Sequence, residues 1–220
     1  MLSNAWGVVL SRRDLGEADR LATLYTESLG KILVRFSGVK KPARKLKALS
    51  EPMVWGEYRL YLGRSEAARA AGGQIVSSFP SIRADLGRTV LALSALELLS
   101  QLTPERSPNS SKYRLICATL VELEAGESPW LEAAYGLRLL ELCGLSLRSR
   151  PAPGAEGAFW EALHDAPLGE LRGLPADAPR ARALRELVYA HAEAQSGRPL
   201  KARGFRESLG GPLPAGVRPA

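Results

Sequence analysis

The sequence predicts an α+β protein: an N-terminal five-stranded OB-type β-barrel followed by a mainly α-helical domain. Three observations predict it. Short runs rich in β-branched and aromatic residues, punctuated by glycine, fill residues 1–79. Apolar residues recur at helical spacing from Pro80 onward. Nearly all of the surplus of basic residues lies in the first of these two regions. Five strands in about 75 residues fit a small barrel of the kind that commonly holds oligonucleotides.

The strands read as follows. Trp6-Gly7-Val8-Val9-Leu10-Ser11-Arg12-Arg13 is the first, ended by Asp14-Leu15-Gly16. Arg20–Thr26 is the second, Lys31–Gly38 the third, Met53–Gly63 the fourth and Gln74–Phe79 the fifth. Side chains on a strand alternate between faces. Ile32, Val34 and Phe36 therefore share a core face, and Lys31, Leu33, Arg35 and Ser37 the other. In the fourth strand Trp55, Glu57, Arg59 and Tyr61 oppose Val54, Tyr58, Leu60 and Leu62.

The helical domain is expected over residues 80–209. Ile82, Leu86, Val90, Leu93 and Leu96 form one periodic helix, with Ser81 as its N-cap and Thr103-Pro104 as its end. Lys112–Glu124 and Trp130–Cys143 are two more, with Ser128 as a cap before Pro129 and Gly144 as a stop. Arg150–Gly154 is a loop, Phe159–His164 a short helix, and Arg180–Gln195 a longer one ended by Ser196-Gly197. Residues 210–220, rich in Gly, Pro and Ala, are expected to form a flexible tail.

An apolar fraction of 45% is enough for a folded chain. The net charge is +7. Residues 1–80 hold 13 Lys and Arg against 7 Asp and Glu, whereas residues 81–220 hold 17 against 16. A codon bias toward arginine would spread the surplus evenly, so its concentration points to a polyanionic partner.

The densest cluster is Lys40, Lys41, Arg44, Lys45 and Lys47, between the third and fourth strands. Such cations gain affinity for phosphate by releasing condensed counterions. With Lys31 and Arg35 they form the primary candidate DNA contacts. Arg12 and Arg13 are further candidates, with Asp14, Glu17 and Asp19 close enough in sequence to neutralise them. Arg198, Lys201 and Arg203 form a second, separate patch that either extends the DNA path, binds an acidic partner tail, or complements a helix dipole. Trp6, Tyr25, Trp55, Tyr58 and Tyr61 are candidate base-stacking platforms, in competition with the core for each ring.

No catalytic residues are expected. The two histidines, His164 and His191, sit in helical contexts, and no P-loop, HExxH or Gly-x-Ser-x-Gly motif is present. No cofactor is expected. Cys117 and Cys143 are isolated and apolar in context, which favours buried thiols over a disulfide or a zinc site. The opening residues lack a secretory pattern and Val90–Leu102 is too short to span a bilayer. A cytoplasmic location is the default expectation.

Several segments in order resemble the RecO family. Gly7–Arg20, with its Arg12-Arg13-Asp14-Leu15-Gly16-Glu17-Ala18-Asp19-Arg20 run, resembles the family's opening. Leu24-Tyr25-Thr26 and Gly30-Lys31-Ile32, then Gly38-Val39-Lys40-Lys41, are similar to its next steps. Pro52, Trp55, Gly56, Glu57 and Tyr58 fit its fourth strand, Leu102-Thr103-Pro104-Glu105 the end of its first long helix, and Gly197–Arg203 its C-terminal element. The likeness covers roughly residues 5–205. It implies an OB-fold domain, a helical domain, and a non-enzymatic recombination mediator. Such a mediator binds single- and double-stranded DNA and anneals complementary strands without ATP. It works with RecR, contacts single-strand DNA-binding protein and helps load RecA, and this implies a nucleoid-associated location. The residues alone leave open an RNA-binding or ribosome-associated OB module, or a protein adaptor.

One departure stands out. Many RecO proteins carry a four-cysteine zinc motif in the region that here reads Leu142–Gly154, and no CxxC occurs there. Elemental analysis of the purified chain is expected to find no zinc; about one zinc per chain would refute this.

Overall fold

Alternating burial closes the first part of the chain into a barrel. A computed structural model of the chain describes residues 1–39, 45–63, 65–126, 128–152 and 154–204. The expected tail at 210–220 lies outside them. Strands β1 (Leu2–Leu15), β2 (Asp19–Thr26), β3 (Gly30–Phe36), β4 (Trp55–Tyr61) and β5 (Ala68–Ser77) form a closed barrel in the order β1-β2-β3-β5-β4, with the short helix α1 (Lys45–Leu49) ahead of β4. All pairings are antiparallel except β3 with β5, which is limited to Val34 opposite Ala68 and Arg35 opposite Arg69. The interior holds Val9, Leu24, Ile32, Val34, Phe36, Tyr58 and Leu60, as the alternation in β3 and β4 requires.

Two strands differ from the sequence reading. β1 starts earlier and ends later, so Arg12 and Arg13 lie within it rather than at its end. A bulge between Val9 and Ser11 shifts its register against β2. β5 starts at Ala68, not Gln74. The Ala/Gly-rich stretch has low strand propensity, but pairing with β3 and β4 imposes the extended form.

The helical part comprises α2 (Pro80–Ala84), α3 (Leu86–Leu102), α4 (Ser110–Ala125), α5 (Leu131–Leu142), α6 (Ala158–Asp165), a 3-10 turn (Leu168–Gly173) and α7 (Ala178–Ser196). The single helix expected from Ile82 to Leu96 is broken at Asp85, which is extended and accepts the Arg88 N–H at 2.8 Å as the cap of α3. Ser81 does not cap. Its N–H and that of Ile82 are taken by the Glu124 carboxylate of α4, each at 2.9 Å. Asn109 and Asp177 cap α4 and α7. Thr103 ends α3, and Gly144 and Gly197, at φ 75° and 67°, follow the ends of α5 and α7 as expected.

α5 is the buried centre of this part. Gly136 lies so close to α7 that a Cβ there would stand 2.4 Å from Val188 Cγ1. The helical core also runs into the barrel: Val8, Leu10, Tyr25 and Met53 belong to it, packed with residues of α3, α4 and α5.

The loop after α5 is the segment where family resemblance pointed to a zinc motif. Residues 144–154 contain no cysteine or histidine, so a four-cysteine zinc site does not fit them. Among the described residues no group of three or more His, Cys, Asp or Glu is placed to hold a metal. Arg148 fastens this loop instead. Its Nη1 reaches Glu161 at 2.7 Å, its Nη2 reaches Asp165 at 2.6 Å, and its Nε lies 3.3 Å from Glu141. The Arg148 carbonyl in turn accepts Trp160 Nε1 at 3.0 Å. The Arg148 hydrogen bonds hold the Asp165 carboxyl below its ordinary pKa. Stabilisation from a lowered carboxylate is present above its unfolded value of about 3.9 and is lost as pH falls through the folded value. Arg148→Met is therefore expected to lower Tm at pH 7. The gap from wild type should close progressively below about pH 4. Thermal melts showing the same gap at pH 2 as at pH 7 would contradict this role.

Candidate nucleic-acid interface

β3 sends Lys31 and Arg35 outward, as the alternation predicts, but the two meet different surroundings. At the Gly30 end the barrel is covered by the helical part. Gly30 has φ +68°, and a Cβ there would fall 2.5 Å from the Ser107 backbone, so the loop after α3 lies directly on this turn. Lys31 Nζ donates to the Ser100 carbonyl at 2.7 Å, and the Lys31 carbonyl accepts the Arg106 N–H at 2.9 Å. Burial lowers the Lys31 pKa; Glu105 opposes the shift and Arg198 adds to it. Lys31 is thus part of a covered junction and not of an open barrel face.

Arg198 belongs to the same junction. A groove of about 560 Å³ is floored by Leu10, Val90, Leu93 and Leu96 and rimmed by Lys31, Arg198, Lys201 and Glu97. The chain turns here because the N–H groups of Lys201 and Ala202 donate to the Glu97 carboxylate, each at 2.9 Å. The C-terminal basic residues, read from sequence as a separate patch, therefore return to the start of β3. Arg203 is held apart by Glu193 at 2.7 Å and Glu186 at 3.1 Å.

At the far end of β3 Arg35 is exposed but paired. Its Nε donates to Asp19 at 2.7 Å, and Asp19 also accepts the Gly38 N–H at 2.8 Å. These two bonds, the Gly38 one foremost, hold the Asp19 carboxyl below its ordinary pKa. Arg12 lies 2.9 Å from Glu51, with Asp14 more distant at 3.9 Å. Its main neutralising partner is thus remote in sequence. Glu51 is shared with the buried Arg20, whose Nη1 donates to Glu51 and to Ser50 Oγ at 2.8 Å each. Arg13 and Lys47 are exposed, and Arg13 has no carboxylate partner among the described residues. Lys40, Lys41 and Arg44 lie outside the described residues, as does the Lys45 side chain.

The aromatic candidates divide cleanly. Tyr25 and Tyr58 are fully buried, and burial pushes the Tyr25 phenol up to about 12. Trp55 is half-buried, and its Nε1 donates to the Tyr113 hydroxyl at 3.0 Å. Trp6 and Tyr61 remain 45% and 53% exposed. Arg59 and Arg69, not singled out from sequence, share that outer surface. The signal for Arg59 was its place on the Tyr61 face of β4; Arg69 fell before the strand as read.

The remaining polar groups have structural roles. His164 is buried, with Nδ1 3.1 Å from Glu141, and His191 Nε2 lies 3.2 Å from the Leu145 carbonyl. Both cysteines are unbridged, and burial pushes the Cys117 thiol up to about 12. Among the described residues no helix is long and apolar enough to cross a membrane.

Comparison with known proteins bears on this arrangement. The family models "Recombination protein O N terminal" and "Recombination protein O C terminal" match residues 1–79 and 83–151. The chain is 32% identical to the DNA repair protein RecO of an Exiguobacterium species over 147 residues, 66% of this chain and 59% of that protein. It is 35% identical to DNA repair protein RecO of Bacillus subtilis over 129 residues, 59% of this chain and 50% of that protein. The protein of the same name from Pelotomaculum thermopropionicum is 34% identical over 143 residues, 65% of this chain and 56% of that protein. The chain thus spans between half and three-fifths of the length of these relatives. The N-terminal model falls on the barrel and the C-terminal model on α2 through the loop after α5, in the order the family requires, and the chain belongs to the RecO family.

Proposed function

We propose that this chain is a non-enzymatic mediator of DNA repair and recombination, located in the cytoplasm and associated with the nucleoid. It binds single- and double-stranded DNA and anneals complementary strands without ATP. With RecR it promotes loading of RecA onto DNA covered by single-strand DNA-binding protein. The observation that carries this reading is the charge surplus of the barrel: 13 basic against 7 acidic residues within 1–80, in a chain that is otherwise near neutral. Family membership supplies the DNA as the polyanion.

The mechanism requires no bond to break. Two complementary strands repel each other through their phosphates, and that repulsion slows their meeting. Cations on a protein surface neutralise phosphates on both strands and release condensed counterions, which lowers the repulsion. The segment Lys40–Lys47, with five cations in eight residues, is the densest source of such charge.

ATP-free annealing of two labelled complementary oligonucleotides, followed by energy transfer, tests the reading. The wild-type chain is expected to accelerate annealing steeply at low salt and far less at moderate salt. Combined Lys40→Glu, Lys41→Glu, Arg44→Glu and Lys45→Glu substitutions are expected to abolish the acceleration. Binding without acceleration would remove annealing from the proposal, and matched RNA outcompeting DNA would redirect it to RNA.

A further inference from the structure

The outer face of the barrel is continuous across β1, β4, β5 and β3, and its register places specific side chains in rows. Residues directly opposite in paired strands point to the same side. Leu2 faces Tyr61, Tyr61 faces Arg69, and Arg69 faces Arg35, a row across four strands. The next row is Asn4, Arg59 and Gly72; the third is Trp6, Glu57 and Gln74. Farther along β1 and β4 the same face carries Val8 and Trp55, which pack against the helical core. The helices cover that end and leave the three rows open.

We propose that this open face is a platform for single-stranded DNA, with bases stacked on Trp6 and Tyr61 and phosphates held by Arg59 and Arg69. The inference rests on the DNA-binding reading above and names for it a surface built from residues outside the basic segment Lys40–Lys47.

Four features point to this ligand. The chain fully buries Trp130, Trp160, Tyr25, Tyr58 and Tyr135 and half-buries Trp55 against the helical core, whereas Trp6 and Tyr61 stay 45% and 53% exposed. Their positions on neighbouring strands, four residues apart in register, separate them by about 14 Å along the strand direction. Arg59 stands between them. Among the described residues neither Arg59 nor Arg69 makes a direct ion pair, and Arg69 feels the Asp19 carboxylate only at longer range. Arg69 is also directly opposite Arg35, and like charges so placed destabilise a sheet unless an anion offsets them. Asp19 pairs with Arg35 and acts on Arg69 only at longer range, which leaves one carboxylate against two cations, and a phosphate at Arg69 would complete the neutralisation.

The fourth feature is the carboxylate and backbone pattern. Glu57, the acidic residue in these rows, accepts Asn4 Nδ2 at 3.1 Å. At Gly72 an added Cβ would meet nothing within 4 Å, so backbone lies open between the two arginines. Aromatic rings beside unpaired cations fit unstacked bases joined by phosphates. An acidic protein surface would use the cations but not require two separated flat rings.

Fluorescence titration of the full chain with oligo(dT) tests the proposal. Trp6 is the most exposed of the four tryptophans, so binding is expected to quench emission, and Trp6→Phe is expected to remove most of the quench while retaining affinity. Trp6→Ala and Tyr61→Ala are each expected to weaken oligo(dT) binding about fivefold or more. Neither should change affinity for a blunt duplex, whose base faces are inaccessible. Arg59→Ala and Arg69→Ala should weaken both. Undiminished oligo(dT) affinity in both aromatic variants, or a quench that persists in Trp6→Phe, would overturn the proposal. A wild-type chain that binds no DNA would overturn the functional reading along with it. The conservative Trp6→Phe readout stands even where an alanine variant fails to fold.

Discussion

A strand at the surface of a barrel ordinarily gives one face to the core and the other to water. β1 gives both faces to cores. Val9 points into the barrel with Leu24, Val34 and Tyr58, while Val8 and Leu10 point outward into the helical core beside Leu96 and Leu99. All three are 4% exposed or less. Burial of each such side chain contributes roughly 1.5–3 kcal/mol. The bulge between Val9 and Ser11 accommodates the run at the point where pairing with β2 changes register. Because β1 joins the two parts, it also decides which barrel surfaces are free. The Gly30 end of β3 falls under the helical part and Lys31 with it; the Phe36 end, the start of β1 and the outer faces of β4 and β5 beyond Trp55 stay open.

Much of this was legible in the sequence for simple reasons. Ile32, Val34 and Phe36 alternate strictly with polar or half-buried neighbours, and a period of two has one structural reading. Lys112–Glu124 and Arg180–Gln195 fall within one or two residues of α4 and α7, because each is bounded by a cap or a glycine. What was not legible came from contacts remote in sequence. Asp85 breaks a periodic run, but only the packing of α2 under Glu124 makes the break profitable for the fold. The Ala68–Gly73 stretch is a strand because two neighbours pair with it, not because its residues favour one.

The candidate site was harder to read than the fold for the same reason. A cation count treats every Lys and Arg as equal, whereas the fold sorts them by partner. Arg12 has Glu51, Arg35 has Asp19, and Arg203 has Glu186 and Glu193. An arginine already held by a carboxylate must give up that contact before it gains a phosphate, so it adds less to counterion release than a free one. Sequence proximity suggested that Asp14, Glu17 and Asp19 would neutralise Arg12 and Arg13. The structure keeps Asp14 at 3.9 Å from Arg12 but brings Glu51, remote in sequence, closer at 2.9 Å, and it places Asp19 on Arg35 of the neighbouring strand.

The acidic and basic residues in the family-like opening then acquire a specific purpose. Asp19 and Arg20 are consecutive at the start of β2, and they hold opposite ends of the basic segment. Asp19 accepts the Gly38 N–H at 2.8 Å, just before that segment begins. Arg20 donates to Ser50 and Glu51 at 2.8 Å, just after it ends, where the Ser50 N–H also returns to the Lys47 carbonyl at 3.2 Å. Two adjacent residues of one strand thus anchor the described residues on either side of that segment, Gly38 before it and Ser50 and Glu51 after it. Arg20 is buried, so salt screens its bonds to Ser50 and Glu51 less than it screens an exposed pair. The same Asp19 carboxylate also holds Arg35, so the anchor at Gly38 and the charge on the neighbouring barrel face depend on one side chain.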